Sequence, residues 1–350
     1  MVDREHDGSG EVGDSLSDGA TCGVCGPEAV AFSSRLGDTV TPHCVADSTV
    51  DASVSELNRW ISQQDAAICV VCHSQGACPP ELIVELVNAL QQDPHADIAL
   101  PVPDNSRLWA ALPAETACRV WRPERDAPMA FRHSVWADQG PLTAVSHSLW
   151  EWLLRATSAG RQVVGRSSPL LDAHTSLPDL APQPPDSNRD WLKRLLLSDS
   201  VASSGGASTA SMAWQAGLLQ IHDYLDESHQ FSQSIEGRGR FHDGDYWHAI
   251  MHRREPDFSN SKYWFRRVGP HPVFDRLRPV AAELLAVAEP PQVGKWHSTL
   301  CGSSWDPLAF VDLCQHALST QDQRLISVAQ QIQYVEMELL LGHCWQALTA

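Results

Sequence analysis

The chain has 350 residues, more than one compact core usually holds, and this length predicts two domains. Its 43 acidic and 25 basic residues give a formal net charge of -18, which excludes a general binder of nucleic acids or anionic membranes, because both need a large positive field. No apolar run of about 18 residues is present to span a bilayer, and the acidic N-terminus lacks a signal pattern, so we expect a cytoplasmic protein.

Residues 1–27 are predicted to form a disordered acidic tail, because they hold almost no large apolar side chains to offset the entropy of ordering. Two cysteine pairs, Cys22–Cys25 and Cys69–Cys72, have a spacing that suits zinc or a redox site. The second pair, however, lies in the apolar run 66–72, where cysteine behaves as a small hydrophobic residue. We favour that interpretation, and we expect no structural disulfides in a reducing compartment.

Residues 28–174 alternate short apolar runs with helical patterns. The pattern predicts helices over 56–62, 80–92 and 149–159, and strands over 66–72, 97–102, 129–134 and 162–165. Alternation of this kind is typical of layered α/β proteins. We therefore predict a three-layer α/β domain in this part of the chain.

Several short motifs mark these elements: Ala66–Cys72, Pro79–Leu82, Asp93–Pro94, Asp97–Pro103, Phe131–His133 with Gly140–Pro141, and Trp150–Ala156 with Gly160. On these motifs, residues 66–171 resemble the central and C-terminal stretch of glycosyltransferases with the A-type nucleotide-diphospho-sugar transferase fold. The resemblance implies an incomplete domain of that fold. It also implies an Asp-x-Asp motif, which in the family holds a divalent cation on the phosphates of a sugar nucleotide.

The chain departs from this family at both functional motifs. The Asp-x-Asp position reads Cys72-His73-Ser74, and the Glu-Asp pair that would supply the general base falls at Ser148-Leu149. Glu151 is the nearest remaining carboxylate. Two expectations stay open: a transferase-related enzyme, or a degenerate domain that is kept for binding or scaffolding.

Residues 175–211 are rich in Pro, Ser and Gly and are predicted to be a flexible linker, interrupted only by a short helix over 190–197. The apolar pattern of residues 212–350 is helical almost throughout, which predicts an all-α domain. Its predicted helices cover residues 212–230, 245–254, 261–268, 272–288, 307–318 and 321–348.

A basic segment lies inside this acidic chain. Between Arg238 and Arg278, nine basic residues stand against five acidic ones, a local excess of four positive charges. Paired arginines beside aromatic residues suit contacts with phosphate or carboxylate, so we predict a site for a small anionic molecule. The candidate anion-binding residues are Arg253, Arg254, Lys262, Arg266 and Arg267. The alternative is that these side chains pair with the abundant acidic residues at the surface.

Histidines and carboxylates add a second pattern in the same region. They recur at spacings of three or four residues, which places them on one face of each predicted helix. The candidate ligands for a divalent metal ion are His222, Asp226, His229, His248 and His252. The candidate catalytic residues are His248, His252 and Glu255, with Asp226 and Glu227 as orienting groups. A hydrogen-bonded network without any ligand is the third alternative.

The run from Trp247 to Gly269, WHAIMHRREPDFSNSKYWFRRVG, looks like the signature of an uncharacterised family of bacterial and fungal proteins, and this resemblance implies no activity. Two functional hypotheses follow. An enzyme that acts on a phosphorylated or sugar-nucleotide ligand should bring the arginines and histidines together in one pocket. A non-catalytic scaffold that binds a protein partner should have histidines that point apart or are satisfied by buried partners.

Overall fold

The structure is a computed structural model that describes most of the chain from residue 30 onwards. The described residues are 30–34, 41–44, 50–63, 67–72, 80–102, 107–122, 128–145, 147–167, 177–198, 208–288 and 292–350. The predicted tail 1–27, the Cys22–Cys25 pair, and His73 and Ser74 of the motif that replaces Asp-x-Asp lie outside the described residues.

In the described part of the chain, six strands form one mixed sheet in the order β2-β1-β3-β5-β4-β6. The strands are β1 (Val30–Ser34), β2 (Thr41–Cys44), β3 (Ile68–Cys72), β4 (Ile98–Val102), β5 (Met129–Arg132) and β6 (Val163–Ser167). Strands β4 and β6 run parallel, with Ile98 opposite Val163, and the other neighbours pair antiparallel.

Six helices accompany the sheet in the described residues before 168. They are α1 (Val50–Ser62), α2 (Pro80–Gln92), α3 (Arg107–Ala111), α4 (Ala114–Val120), α5 (His133–Gln139) and α6 (Ser148–Ser158). The sequence predicted only α1, α2 and α6. The other three helices have at most seven residues, which is too short for a repeating apolar face to be recognised.

The alternation of side chains along the strands divides the apolar residues between two faces of the sheet. Ile68 and Val70 of β3 pack with α2 on one face. Cys69 and Val71 lie on the other face, in a core that continues into the helical region. Burial raises the pKa of the Cys69 thiol to about 12, which agrees with the expectation that this cysteine packs as an apolar residue.

The segment 177–198 packs against the rest of the molecule. The short helix predicted over 190–197 is confirmed, whereas the predicted flexible linker is wrong for residues 177–189. Its helix α7 (Asp190–Leu197) carries Trp191, whose ring meets the ring of Trp150 edge-on, with the centroids 5.6 Å apart. Earlier in the segment, the carbonyl oxygen of Asp179 accepts a hydrogen bond from the side-chain amide of Gln333. A segment rich in proline therefore still contributes apolar side chains and carbonyl acceptors to the core.

The remainder of the chain is helical, as predicted. Its helices are α8 (Thr209–Ile221), α9 (Leu225–Ser234), α10 (Asp243–Arg254), α11 (Phe258–Val268), α12 (Pro272–Val287), α13 (Gln292–Leu300), α14 (Pro307–Thr320) and α15 (Gln323–Thr349). Helices α10, α11, α12, α14 and α15 begin and end within three residues of the predicted bounds. Within the described ranges, no helix is long and apolar enough to cross a membrane.

The single helix predicted over 212–230 is wrong, because the chain turns between α8 and α9. Asp223 has a φ of 71°, a left-handed conformation that a continuous right-handed helix does not allow. Its carboxylate pairs with Arg122 at 2.8 Å and with Arg254. The apolar period runs straight through this turn, and the two distant arginines that hold it cannot be recognised from the local sequence.

Candidate metal site in the helical region

Three histidines meet where α9 packs on α10. His229 comes from α9, and His248 and His252 lie one turn apart on α10. The ring centroid of His229 lies 4.6 Å from that of His248 and 5.6 Å from that of His252. The ring centroids of His248 and His252 are 4.8 Å apart. Three imidazoles on one tetrahedral ion have centroids about 5 Å apart. One possible ligand atom from each ring lies within 4.8 Å of the other two, so a single ion could contact all three rings.

Close packing of α10 against its neighbours holds these rings in place. Every residue of α10 is buried. Near its start, a Cβ atom on Gly244 would lie 2.6 Å from Cγ1 of Ile235, so only glycine permits this approach to the end of α9. His248 is consequently 2% exposed and His252 8% exposed.

His248 is a neutral, buried imidazole. Its ring stacks on Trp264 of α11, with the centroids 3.9 Å apart and the planes 22° from parallel. Burial, followed by the nearby His252, His229 and Arg267, lowers the pKa of His248 to about 3, so the ring is uncharged at neutral pH, the form that binds metals. Among the described residues, no group hydrogen-bonds to its Nδ1 atom.

His252 has a polar group at each ring nitrogen. Its Nδ1 atom lies 3.2 Å from Oε2 of Glu255, and its Nε2 atom lies 3.1 Å from the side-chain nitrogen of Asn260. Burial lowers the pKa of His252, and the Glu255 carboxylate opposes this effect. An amide that donates to Nε2 and a carboxylate beside Nδ1 favour the tautomer with its lone pair on Nε2. A carboxylate behind an imidazole is the usual support of a histidine that binds a metal.

The three histidines thus form a compact set of candidate nitrogen ligands. Comparison of the chain with protein-family models, with curated proteins and with solved structures found no match. Function is therefore inferred from the residues of the site.

Two members of the predicted metal set lie outside this group. His222 is fully buried at the end of α8, and its Nε2 atom lies 2.7 Å from the carbonyl oxygen of Arg119 in the α/β region. Asp226 is exposed in the first turn of α9. The prediction is wrong for both residues, because the turn at Asp223 ends the helical face that they were expected to share with His229. The orienting role predicted for Glu227 is also not seen, since Glu227 pairs with a lysine, Lys193, at 2.9 Å.

The anion-binding prediction is wrong for Arg253 and Arg254. Arg253 is fully buried, and its guanidinium lies 2.5 Å from the carboxylate of Glu336. Arg254 is also buried, and it pairs with Asp223 and donates to a backbone carbonyl. Both positive charges are therefore neutralised by acidic residues inside the protein.

The remaining cationic candidates lie at the surface and do not converge on the histidines as a set. Lys262 pairs with Asp312, and Arg266 is exposed. Arg267 lies 2.8 Å from the carboxylate of Glu236, and its guanidinium carbon lies 4.8 Å from the centroid of the Trp264 ring. The charge of Arg267 also contributes to the lowered pKa of His248, after burial, His252 and His229.

In the α/β region, Glu151, the carboxylate nearest to the lost general-base position, is engaged in an ion pair. The carboxylate lies 3.1 Å from Nε of Arg155, one turn further along α6, and Glu151 is buried. Two further residues that contact the candidate metal-binding groups had no predicted role. Asn260 was noted only as part of the signature, and His343 was not noted, although a histidine two residues after the apolar run 339–341 of a buried helix is itself a signal.

Proposed function

We propose that this chain is a metal-binding protein that holds a divalent transition-metal ion such as Zn²⁺ through His229, His248 and His252. The observation that carries the proposal is the convergence of three imidazoles whose ligand atoms lie within 4.8 Å of one another. The Glu255 carboxylate behind His252 supports it further. Structural zinc sites use four protein ligands, whereas three ligands leave a position for water. An ion held in this way would supply a water of lowered pKa, and hydrolysis is the reaction class that such a water serves.

The proposal includes an anionic substrate, of which a phosphate ester is the simplest example. Arg267 supports this part, because its guanidinium carbon lies 4.8 Å from the centroid of the Trp264 ring, which stacks on His248. Arg267 pairs with Glu236, but this pair is exposed to solvent, unlike the pairs of Arg253 and Arg254, so an anion bound at the ion would compete for the guanidinium. Arg266, next to it in the chain, is exposed. Arg253 and Arg254 have no role in this proposal, since Glu336 and Asp223 already neutralise them.

Zinc binding by the full chain tests the ligand set directly. We expect His229→Gln to lose one equivalent of Zn²⁺ relative to the wild type, measured by elemental analysis after dialysis and by calorimetric titration. His229 suits this test because it is only partly buried, so its loss perturbs packing less than the loss of His248. The matched control is His95→Gln, which changes an exposed imidazole in the α/β region. An unchanged zinc stoichiometry in His229→Gln would exclude the site.

Hydrolysis of p-nitrophenyl phosphate by the zinc-loaded chain tests the catalytic part. We expect activity in the wild type and in His95→Gln, its loss in His229→Gln, and inhibition by inorganic phosphate. If the chain binds zinc but hydrolyses neither this nor other phosphate esters, the catalytic part of the proposal is wrong and only metal binding remains.

The second candidate function is a non-catalytic scaffold whose α/β region is a degenerate, glycosyltransferase-like domain. The buried ion pair of Glu151 with Arg155 supports it, because the carboxylate of a general base must be accessible to the substrate. A thermal-shift titration with sugar nucleotides and Mn²⁺ tests this candidate. An unchanged midpoint supports the scaffold, and a raised midpoint supports a transferase-like site.

A further inference from the structure

A second group of possible metal ligands joins three helices of the helical region. Asp243 is the first residue of α10, His271 is the N-cap residue of α12, and His343 lies on α15. The Nε2 atom of His271 lies 2.9 Å from Oδ1 of Asp243, and the Nε2 atom of His343 lies 3.3 Å from the same oxygen. The three residues therefore direct two nitrogen atoms and one oxygen atom toward one point.

We propose that Asp243, His271 and His343 form a second binding site for a divalent transition-metal ion. A tetrahedral ion with bonds of about 2.0–2.1 Å holds its ligand atoms about 3.3 Å apart, close to the two distances between nitrogen and oxygen in this group. The ring centroids of the two histidines are 5.0 Å apart, where two imidazoles on one ion have a separation of about 5 Å. These positions let an ion enter with little rearrangement.

The ligand types select the class of metal. Two imidazoles and one carboxylate suit Zn²⁺ or Co²⁺, whereas Mg²⁺ and Ca²⁺ prefer sites made of oxygen ligands. Aromatic rings surround the group and keep the imidazoles in place. The centroid of the Phe241 ring lies 5.3 Å from that of His343, and the centroid of the Tyr246 ring lies 4.9 Å from that of His271.

The second site is separate from the three-histidine site. Asp243 and His248 are five residues apart on α10, which places them about 140° apart around the helix and about 7.5 Å apart along it. Centres with two cooperating metal ions hold them about 3.5–4 Å apart. The two ions would therefore act independently, and the second site does not rest on the function proposed for the first.

Ion binding changes one hydrogen bond in the group. The backbone N–H of Val273 donates to Nδ1 of His271, so this ring carries its proton on Nε2 and donates it to Asp243. Coordination through Nε2 moves the ring proton to Nδ1 with no net proton release, and the bond from Val273 is lost. The free energy of one neutral hydrogen bond is small compared with the free energy of binding a divalent ion through three ligands. The alternative is a hydrogen-bonded cap of α12 that binds no ion.

The position of the group indicates a structural role. An ion at this point would link the starts of α10 and α12 to the C-terminal helix α15, three segments that are far apart in the sequence. Such a link stabilises the folded chain, because an unfolded chain has no preformed site for the ion.

Zinc titration of the full chain, followed by calorimetry, tests this proposal. We expect two equivalents of Zn²⁺ in the wild type and one each in His343→Gln and His229→Gln. The double variant should bind none. Replacing even a supporting residue of a metal site weakens binding 10–100-fold, so the loss of His343 should weaken the second equivalent by about a hundredfold or more. His343→Gln is a conservative test, because its amide can still donate to Asp243.

Thermal unfolding in the His229→Gln background isolates the second site. Zn²⁺ should raise the unfolding midpoint of this variant and leave that of the double variant unchanged. Asp243→Asn in the same background is the second probe, since it keeps the shape of the side chain and removes its charge. Equal zinc stoichiometry in the wild type and in His343→Gln would overturn the proposal, as would equal midpoint shifts in His229→Gln and the double variant.

Discussion

The Nδ1 atom of His252 lies 3.2 Å from Oε2 of Glu255, although helix α10 ends at Arg254. By helical spacing alone, Glu255 would share a face with His248 and His252 if the helix continued through Glu255. Glu255 instead makes this contact from the C-cap position, where its φ is -85°. The carboxylate lies beside the ring nitrogen that is opposite to the one contacted by Asn260, an arrangement that favours the tautomer of His252 with its lone pair on Nε2.

Removal of the charge on Glu255 should weaken zinc binding at the three-histidine site. We expect Glu255→Gln to raise the dissociation constant 10–100-fold, the usual effect of losing a carboxylate that supports a metal-binding histidine, while the number of ions stays unchanged. Calorimetric titration with Zn²⁺ measures both quantities. The control is Asp226→Asn, which removes a carboxylate that is also exposed but has no contact with His252 among the described residues. Equal affinities of Glu255→Gln and the wild type would exclude the supporting role.

The stability of the protein should fall in acid because of His222. Burial, followed by Arg122, lowers the pKa of His222 to about 3 in the folded chain, from an ordinary value of 6.5. Between these two pH values the unfolded chain binds more protons, so the free energy of unfolding decreases as the pH falls from about 6.5 to about 3. Above about pH 6.5 the contribution is fully present and constant.

Urea unfolding at pH 7 and at pH 5 measures this contribution. We expect the difference between the two free energies of unfolding to be smaller in His222→Gln than in the wild type, by about 2 kcal/mol. Glutamine cannot titrate, and its amide can still donate to the carbonyl of Arg119. If both proteins lose the same stability between these pH values, His222 is not the group responsible.

Asp223 should hold the α/β region and the helical region together through its charge. Burial opposes its ionisation, but Arg254 and Arg122 lower the pKa of Asp223, so the carboxylate is charged. We expect Asp223→Asn to reduce the free energy of unfolding by about 3–5 kcal/mol, because two buried arginines lose their counterion. Asparagine tolerates the left-handed backbone at this position, so the loss reports the charge alone.

A matched variant is Asp312→Asn, which breaks the exposed pair with Lys262. That change should reduce the free energy of unfolding by less than about 1 kcal/mol in the same urea titration. Equal effects of the two variants would show that burial of the Asp223 pairs adds nothing to stability.

Removing one partner of the ion pair between Arg253 and Glu336 should reduce the free energy of unfolding more than removing both partners. Glu336 accepts from Arg253 at 2.5 Å and from the Tyr246 hydroxyl at 3.0 Å, and neither charged side chain is exposed. We expect Glu336→Met to reduce the free energy of unfolding by about 3–5 kcal/mol, since it leaves a buried charge without a partner. Adding Arg253→Met should restore part of that loss, and a further loss of the same size would contradict this account.

The turn between α8 and α9 shows which features of the fold the local sequence pattern predicts and which it does not. The apolar period over 212–230 indicated helix correctly, and most residues in this range are helical. The apolar period gives no sign of the turn at Asp223. The two arginines that pair with Asp223 lie about a hundred and about thirty residues away in the sequence. Long-range charge pairing therefore decided where one predicted helix became two.

Spacing within one helix predicted part of the metal site. His248 and His252 are four residues apart, and helical geometry alone places them on one face. The sequence also predicted a region of alternating strands and helices followed by a helical region, since periods of about two and 3.6 residues depend only on neighbours along the chain. The order and direction of the strands in the sheet depend on tertiary pairing. Tertiary structure decided that His229 joins them while His222 turns toward Arg119, and that Arg253 and Arg254 are buried against acidic residues. Those outcomes depend on which helices pack together and which distant carboxylates neutralise buried charges, and the local pattern contains neither.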